Sequence, residues 1–114
     1  MIILTVKFDF AASHQLPFHT GLCKNLHGHT YFVEIGFEFN ELDANGMATD
    51  FETLNDIAND IKMEFDHKHL NDFVKPYPTA EMIAFHIQKR LVEMNALPHH
   101  VEVRETPRYS VRIE

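Results

Sequence analysis

The chain reads as an α+β domain in the order ββααββ. Two long stretches alternate apolar and polar residues, two later stretches repeat apolar residues at helical spacing, and two short alternating stretches close the sequence. Strand pairs on either side of a helix pair predict an antiparallel four-stranded sheet with both helices on one face. Residues 1–114 form a single domain, long enough to bury roughly two-thirds of the unfolded surface.

In the first strand, Ile2, Leu4, Val6, Phe8, Phe10 and Ala12 make one apolar face, with Thr5, Lys7 and Asp9 on the other. His14 continues the apolar register. The second strand carries Tyr31, Val33, Ile35, Phe37 and Phe39 on one face and Thr30, Glu34 and Glu38 on the other. A turn at Asp43-Ala44-Asn45-Gly46 precedes a capping box of Thr49 and Glu52, which predicts a helix starting there and ending near Asp66. Its inner face is Phe51, Leu54, Ile57, Ala58, Ile61 and Phe65. Pro78-Thr79 announces a second helix with Thr79 as N-cap, carrying Ala80, Ile83, Ala84, Ile87, Leu91 and Met94 at helical spacing and ending by Pro98. Val101 and Val103 mark a third strand, and Tyr109, Val111 and Ile113 a fourth, around Thr106-Pro107. Long apolar strands at open sheet edges invite pairing, which predicts a homo-oligomer joined edge to edge.

The richest chemistry lies between the first two strands. His27 and His29 are two apart on a strand and project together. Pairing the strands as a hairpin with residues 15–26 as its loop brings His14 beside them, so three imidazoles face inward. Three neutral imidazoles without a fourth protein ligand are what a catalytic zinc ion uses, because the open position accepts water or substrate. Any one histidine among nine is more often a packed core residue, but three on one face, with Gly28 permitting close approach, favour a metal.

Further candidates surround this cluster. Cys23 lies in the hairpin loop four residues before His27, where a thiol near a divalent cation deprotonates readily and can act as acid or base, although a buried apolar thiol is the plain alternative. Asp66-His67, at the end of the first helix, suits a proton carrier oriented by a carboxylate, and equally a cationic helix C-terminus. Glu105 shares the parity of Val101 and Val103, so it faces inward unless the strand has ended, and an inward carboxylate suits adjacent N–H donors of an amino-heterocycle. His19, His69, His86, His99 and His100 read as surface or packing residues.

A net charge of −7 without a basic run argues against nucleic acid or an anionic membrane as the main partner and favours a small-molecule substrate. No stretch approaches the roughly 18 apolar residues of a membrane span, and the N-terminus lacks a signal-peptide layout, so a cytoplasmic location is expected. The single cysteine, Cys23, has no partner for an internal disulfide, as expected in a reducing compartment.

Across its whole length the chain resembles the 6-pyruvoyl-tetrahydropterin synthase family. The matching segments are Phe10-Ala11-Ala12-Ser13-His14, Cys23 to His29, Met47 to Phe51, Asp66 to Asn71, Pro78-Thr79-Ala80-Glu81 and Glu105-Thr106. Three residues between Cys23 and His27 resemble the bacterial 6-carboxy-5,6,7,8-tetrahydropterin synthase branch of queuosine biosynthesis. The resemblance implies the tunnelling fold, in which subunits join their sheets into a barrel, trimers stack as a hexamer, and active sites lie between subunits. It implies Zn2+ on His14, His27 and His29, Cys23 and His67 as proton-transferring groups with Asp66 paired to His67, and substrate contacts from Glu105, Thr106 and Thr79. The implied substrate is 7,8-dihydroneopterin triphosphate, cleaved to 6-carboxytetrahydropterin, acetaldehyde and triphosphate. The sister pyruvoyl-forming activity and a non-catalytic zinc-binding module are the alternatives. Lys24, Lys68, Arg104, Arg108 and Arg112 are the cations available to the triphosphate.

Overall fold

The computed structural model describes residues 1–114. Alternation produces two strands of equal length, β1 (Ile2–His14) and β2 (His27–Phe39), paired antiparallel from Ile2 opposite Phe39 to His14 opposite His27. The loop between them contains one turn of 3₁₀ helix, Leu22–Lys24. Helix α1 spans Phe51–Phe65, strand β3 Lys68–His69, helix α2 Ala80–Glu93, strand β4 His100–Thr106 and strand β5 Tyr109–Ile113. The sheet order is β3-β1-β2-β4-β5.

The expected α+β class and strand–helix order are therefore present, with a first correction. The sheet has five strands, because Lys68 and His69 pair in parallel with Ala12 and Ser13. Two residues carry no alternation that a sequence could reveal, so this strand exists only through its partner. β3 covers β1 only at that end, and the rest of β1 lies along an open edge.

A second correction concerns the start of α1. Asp50 rather than Thr49 is the N-cap, its Oδ1 accepting from the Glu52 backbone N–H at 2.9 Å, which satisfies one of the orphan donors of the first turn. Thr79 caps α2 as expected, accepting from the Met82 N–H at 3.1 Å. That helix stops at Glu93, where Asn95 takes a positive φ of 58°.

Both helices bury their apolar stripes against one sheet face. Leu54, Ala58, Ile61 and Phe65 of α1 and Ile83, Ala84, Ile87 and Leu91 of α2 meet Phe10, Tyr31, Val33, Ile35, Val101 and Val103. Each fully buried aliphatic side chain contributes roughly 1.5–3 kcal/mol of transfer free energy, so this layer fixes the sheet that carries the site. At the Phe10 end the same face passes from hydrocarbon to histidine without a break, since Ala12 and His14 follow Phe10 in register.

On the opposite face Gly36 performs a spatial task. A Cβ there would stand 2.1 Å from Cε1 of His100, so the imidazole occupies the space a side chain would take. His100 is buried, its Nε2–H donating to Glu34 Oε2 at 2.8 Å and its Nδ1 sharing a hydrogen bond with His99 Nδ1 at 2.9 Å.

Candidate active site

The hairpin register sets His14 opposite His27, and the pleat turns both, with His29, to the helix-covered face. All three present a ring nitrogen within 4.8 Å of one another. His14 is buried and the other two are half-buried.

Hydrogen bonding to the remaining nitrogens decides what this cluster can hold. His14 Nδ1 donates to the Pro78 carbonyl at 2.8 Å, and His27 Nδ1 donates to the Asn25 carbonyl at 2.7 Å. With those protons placed, each neutral ring offers only a lone pair at Nε2, yet the two Nε2 atoms face each other at 2.9 Å. The third, His29 Nε2, is buried with no partner at all. Orphaned buried nitrogens cost about 1–3 kcal/mol apiece. Three convergent lone pairs, two of them oriented by backbone carbonyls, are what a divalent cation requires, and the outer hydrogen bonds are of the kind that fix metal-binding tautomers. Burial lowers the pKa of His14 and of His29, keeping both in the neutral, ligating form. The donor set fits zinc.

The expected Gly28 effect is not found. A Cβ at Gly28 would lie 3.4 Å from the Ala12 carbonyl oxygen, an ordinary contact, so close approach of the histidines does not depend on it.

Glu105 faces this cluster. β4 runs through Thr106, so the strand has not ended at Glu105, and an irregularity between Arg104 and Thr106 in the pairing with β5 sits at that residue. Bulges re-aim side chains in this way. Its carboxylate acts on His14, His29 and the Tyr31 phenol. Cys23 lies in the 3₁₀ turn as a half-buried free thiol, its carbonyl accepting from Leu16 N–H at 2.9 Å.

Asp66 and His67 form their expected pair, with His67 Nδ1 2.9 Å from Asp66 Oδ2, but on the open edge of the sheet rather than inside the three-histidine cluster. The His67 side chain is 82% exposed. His67 has a positive φ of 59°, a conformation unfavourable for a non-glycine residue, held by its N–H donating to the Ala11 carbonyl. Asp66 Oδ1 in turn accepts from the Ala11 N–H at 2.9 Å, and this bond, with His67 beside it, lowers the carboxyl's pKa. The pair borders a shallow groove of about 700 Å³ whose lining also includes Ser13, Gly28, His29 and His69.

Thr79 and Thr106 are each engaged locally. Thr79 Oγ1 caps α2, one residue after the Pro78 carbonyl that holds His14, and Thr106 Oγ1 accepts from Arg108 N–H at 3.2 Å. Both hydroxyls keep a proton to donate. Three features carried no sequence signal as site elements. The Pro78 and Asn25 carbonyls act through the backbone, and Tyr31, read as an ordinary core aromatic, has a buried hydroxyl without a partner. Among the remaining histidines, His86 packs against Phe65 and Phe73, while His69 shares a hydrogen bond with Ser13 at 3.0 Å.

Three inward histidines that could hold a metal ion, with a carboxylate beside them on an α+β sheet, define the class of site, and comparison with known proteins gives the family. The model for 6-pyruvoyl tetrahydropterin synthase matches residues 3–114. The chain is 37% identical over 113 residues to the 6-carboxy-5,6,7,8-tetrahydropterin synthase of Synechocystis, covering 93% of this chain and 88% of that one. Against the protein of the same name from Rickettsia felis it is 31% identical over 138 residues, covering 99% and 100%. The 6-pyruvoyl tetrahydropterin synthase of Caenorhabditis elegans has the same fold, with a TM-score of 0.83 at 24% identity over 100% of this chain and 96% of that one. The Plasmodium falciparum protein of that name gives 0.76 at 18% identity, covering 98% of this chain and 96% of that one. The chain belongs to the 6-pyruvoyl tetrahydropterin synthase family.

Proposed function

We propose that the chain is a zinc-dependent 6-carboxy-5,6,7,8-tetrahydropterin synthase, converting 7,8-dihydroneopterin triphosphate and one water to 6-carboxytetrahydropterin with loss of acetaldehyde and triphosphate. The relatives that share this name support the activity. The observation that carries the metal is the set of three convergent Nε2 atoms, two facing at 2.9 Å with their Nδ1 protons already committed and the third orphaned.

Zinc bound by His14, His27 and His29 would act as a Lewis acid on substrate hydroxyls, making nearby protons easier to move. Cys23 would take and return those protons from its place in the hairpin loop. Glu105 would grip the adjacent N–H groups of the pterin, a charge-assisted bidentate contact, with Thr79 and Thr106 donating to its periphery. His67, paired with Asp66, would be the second proton carrier. Because that pair lies on the open edge, it would serve the site of a neighbouring subunit, which agrees with edge-to-edge assembly. Arg104 and Arg112 are paired with carboxylates, which leaves Lys24, Lys68 and Arg108 for the triphosphate. No helix is long and apolar enough to cross a membrane, and we expect the enzyme in the cytoplasm, in queuosine biosynthesis.

Incubating zinc-loaded protein with 7,8-dihydroneopterin triphosphate and analysing products by mass spectrometry tests the reading. Zinc-dependent 6-carboxytetrahydropterin with acetaldehyde is expected. A pyruvoyl product would move the chain to the sister activity, and no conversion would favour a zinc-binding module.

A further inference from the structure

Tyr31 is wholly buried, and its hydroxyl has no hydrogen-bond partner. Its ring stacks on Phe10 at 5.0 Å between centroids, which accounts for the aromatic ring but not for the oxygen. A phenylalanine would supply the same packing without the desolvation cost of an unpaired hydroxyl, so the oxygen calls for a separate explanation.

Its position supplies one. Tyr31 follows His27 and His29 at alternate positions of β2, and its ring meets those of His14 and His29 edge-on at 5.8 and 5.4 Å. Across the sheet, β2 and β4 pair from Gly36 opposite His100 to Phe32 opposite Arg104. One step further along that register, Tyr31 comes level with Glu105, on the same inward face. The irregularity beside β5 falls at the same residue. An unpaired donor and a carboxylate are thus neighbours beside the histidine cluster.

We propose that Tyr31 is a positioning residue, whose hydroxyl donates a hydrogen bond to the Glu105 carboxylate when a pterin seats and fixes that carboxylate in the orientation that grips the ring. The inference rests on the assignment of Glu105 as the pterin anchor.

The test uses the zinc-loaded full chain, with neopterin as a fluorescent ligand and Tyr31→Phe, Glu105→Gln and the double variant compared. Tyr31→Phe is expected to weaken neopterin binding about tenfold, the size of one hydrogen bond to a charged group, while zinc content is unchanged and Tm is equal or higher. In the Glu105→Gln background the same substitution is expected to cost nothing further, because its effect passes through the carboxylate. Wild-type affinity in Tyr31→Phe, with Glu105→Gln still weakened, would overturn the role of Tyr31 and leave the anchor standing. Additive losses in the double variant would also overturn it. Wild-type affinity in Glu105→Gln would remove both assignments.

Discussion

The two histidine regions of this protein are built in opposite ways. In the hairpin cluster, His14 is buried, the Nδ1 atoms of His14 and His27 are tied to backbone carbonyls, and the Nε2 atoms converge on a shared point. At the sheet edge, His67 is tied to Asp66 and Ala11 but its ring faces solvent. A single chain therefore brings together the three histidines that could hold a metal, and presents its proposed second proton carrier outward. Burial and fixed ring nitrogens belong to the first region, and accessibility to the second, the arrangement expected if the His67 ring meets a substrate held elsewhere.

Removing a ligand from the closed region tests its completeness most severely. His14→Ala is expected to abolish zinc binding and to lower kcat by at least about a thousandfold, since the metal and the orientation it imposes go together. Elemental analysis of the purified variant checks this, and stoichiometric zinc in it would defeat the three-histidine set. Cys23→Ala is expected to keep zinc and lose about 10²–10⁴ in kcat, the usual range for a general acid–base group. Near-normal turnover would remove Cys23 from the chemistry.

The open region makes a different prediction. His67→Ala should lose about a hundredfold in rate with zinc and pterin binding intact. Mixing it with Cys23→Ala after reversible dissociation should restore part of the activity if sites draw on two chains, because some mixed sites then hold a wild-type Cys23 and a wild-type His67. Failure to complement, with mixed oligomers verified by mass spectrometry, would place both residues in one chain's site.

A third histidine separates burial from function. His100 is as enclosed as His14, but Glu34 and His99 engage both its ring nitrogens, so nothing remains to bind a ligand. Gly36→Ala would drive a methyl group into that ring and is expected to cost about 1–3 kcal/mol, read as a lower denaturation midpoint, while zinc affinity is retained. Loss of zinc in this variant would mean that the two faces of the sheet are coupled.

Much of this was legible in the sequence because period-2 alternation is a strong signal in strands of thirteen residues, and it carried the histidines with it. Parity alone turned His14, His27, His29 and Glu105 to one face. What escaped depends on partners that have no pattern of their own. β3 is two residues long and exists through β1, Asp50 displaced Thr49 as cap by one position, and the Pro78 carbonyl grips His14 from sixty-four residues away. Tyr31 fitted the apolar alternation so well that its oxygen went unnoticed.

Acid should separate the two regions by pH, and here the expected effects are smallest. Burial lowers the folded pKa of His14 and His29 below the ordinary 6.5, so unfolded chains bind the proton more readily. The contribution of these residues to stability is complete above pH 6.5 and is lost as pH falls through their folded pKa values. Asp66 is also lowered, but from 3.8, so its contribution survives mild acid and disappears only as pH falls below that value. Metal-free protein, kept in chelator, is therefore expected to show a first decline in Tm below pH 6.5 and a second below pH 3.8. His29→Gln should lessen only the first, to which His14 and the buried His86 also contribute, and Asp66→Asn only the second, since the groups lie in different regions and share no hydrogen bond. If one substitution flattened both declines, the cluster and the edge would unfold as one electrostatic unit, and the division between a closed site and an open partner group would have to be abandoned.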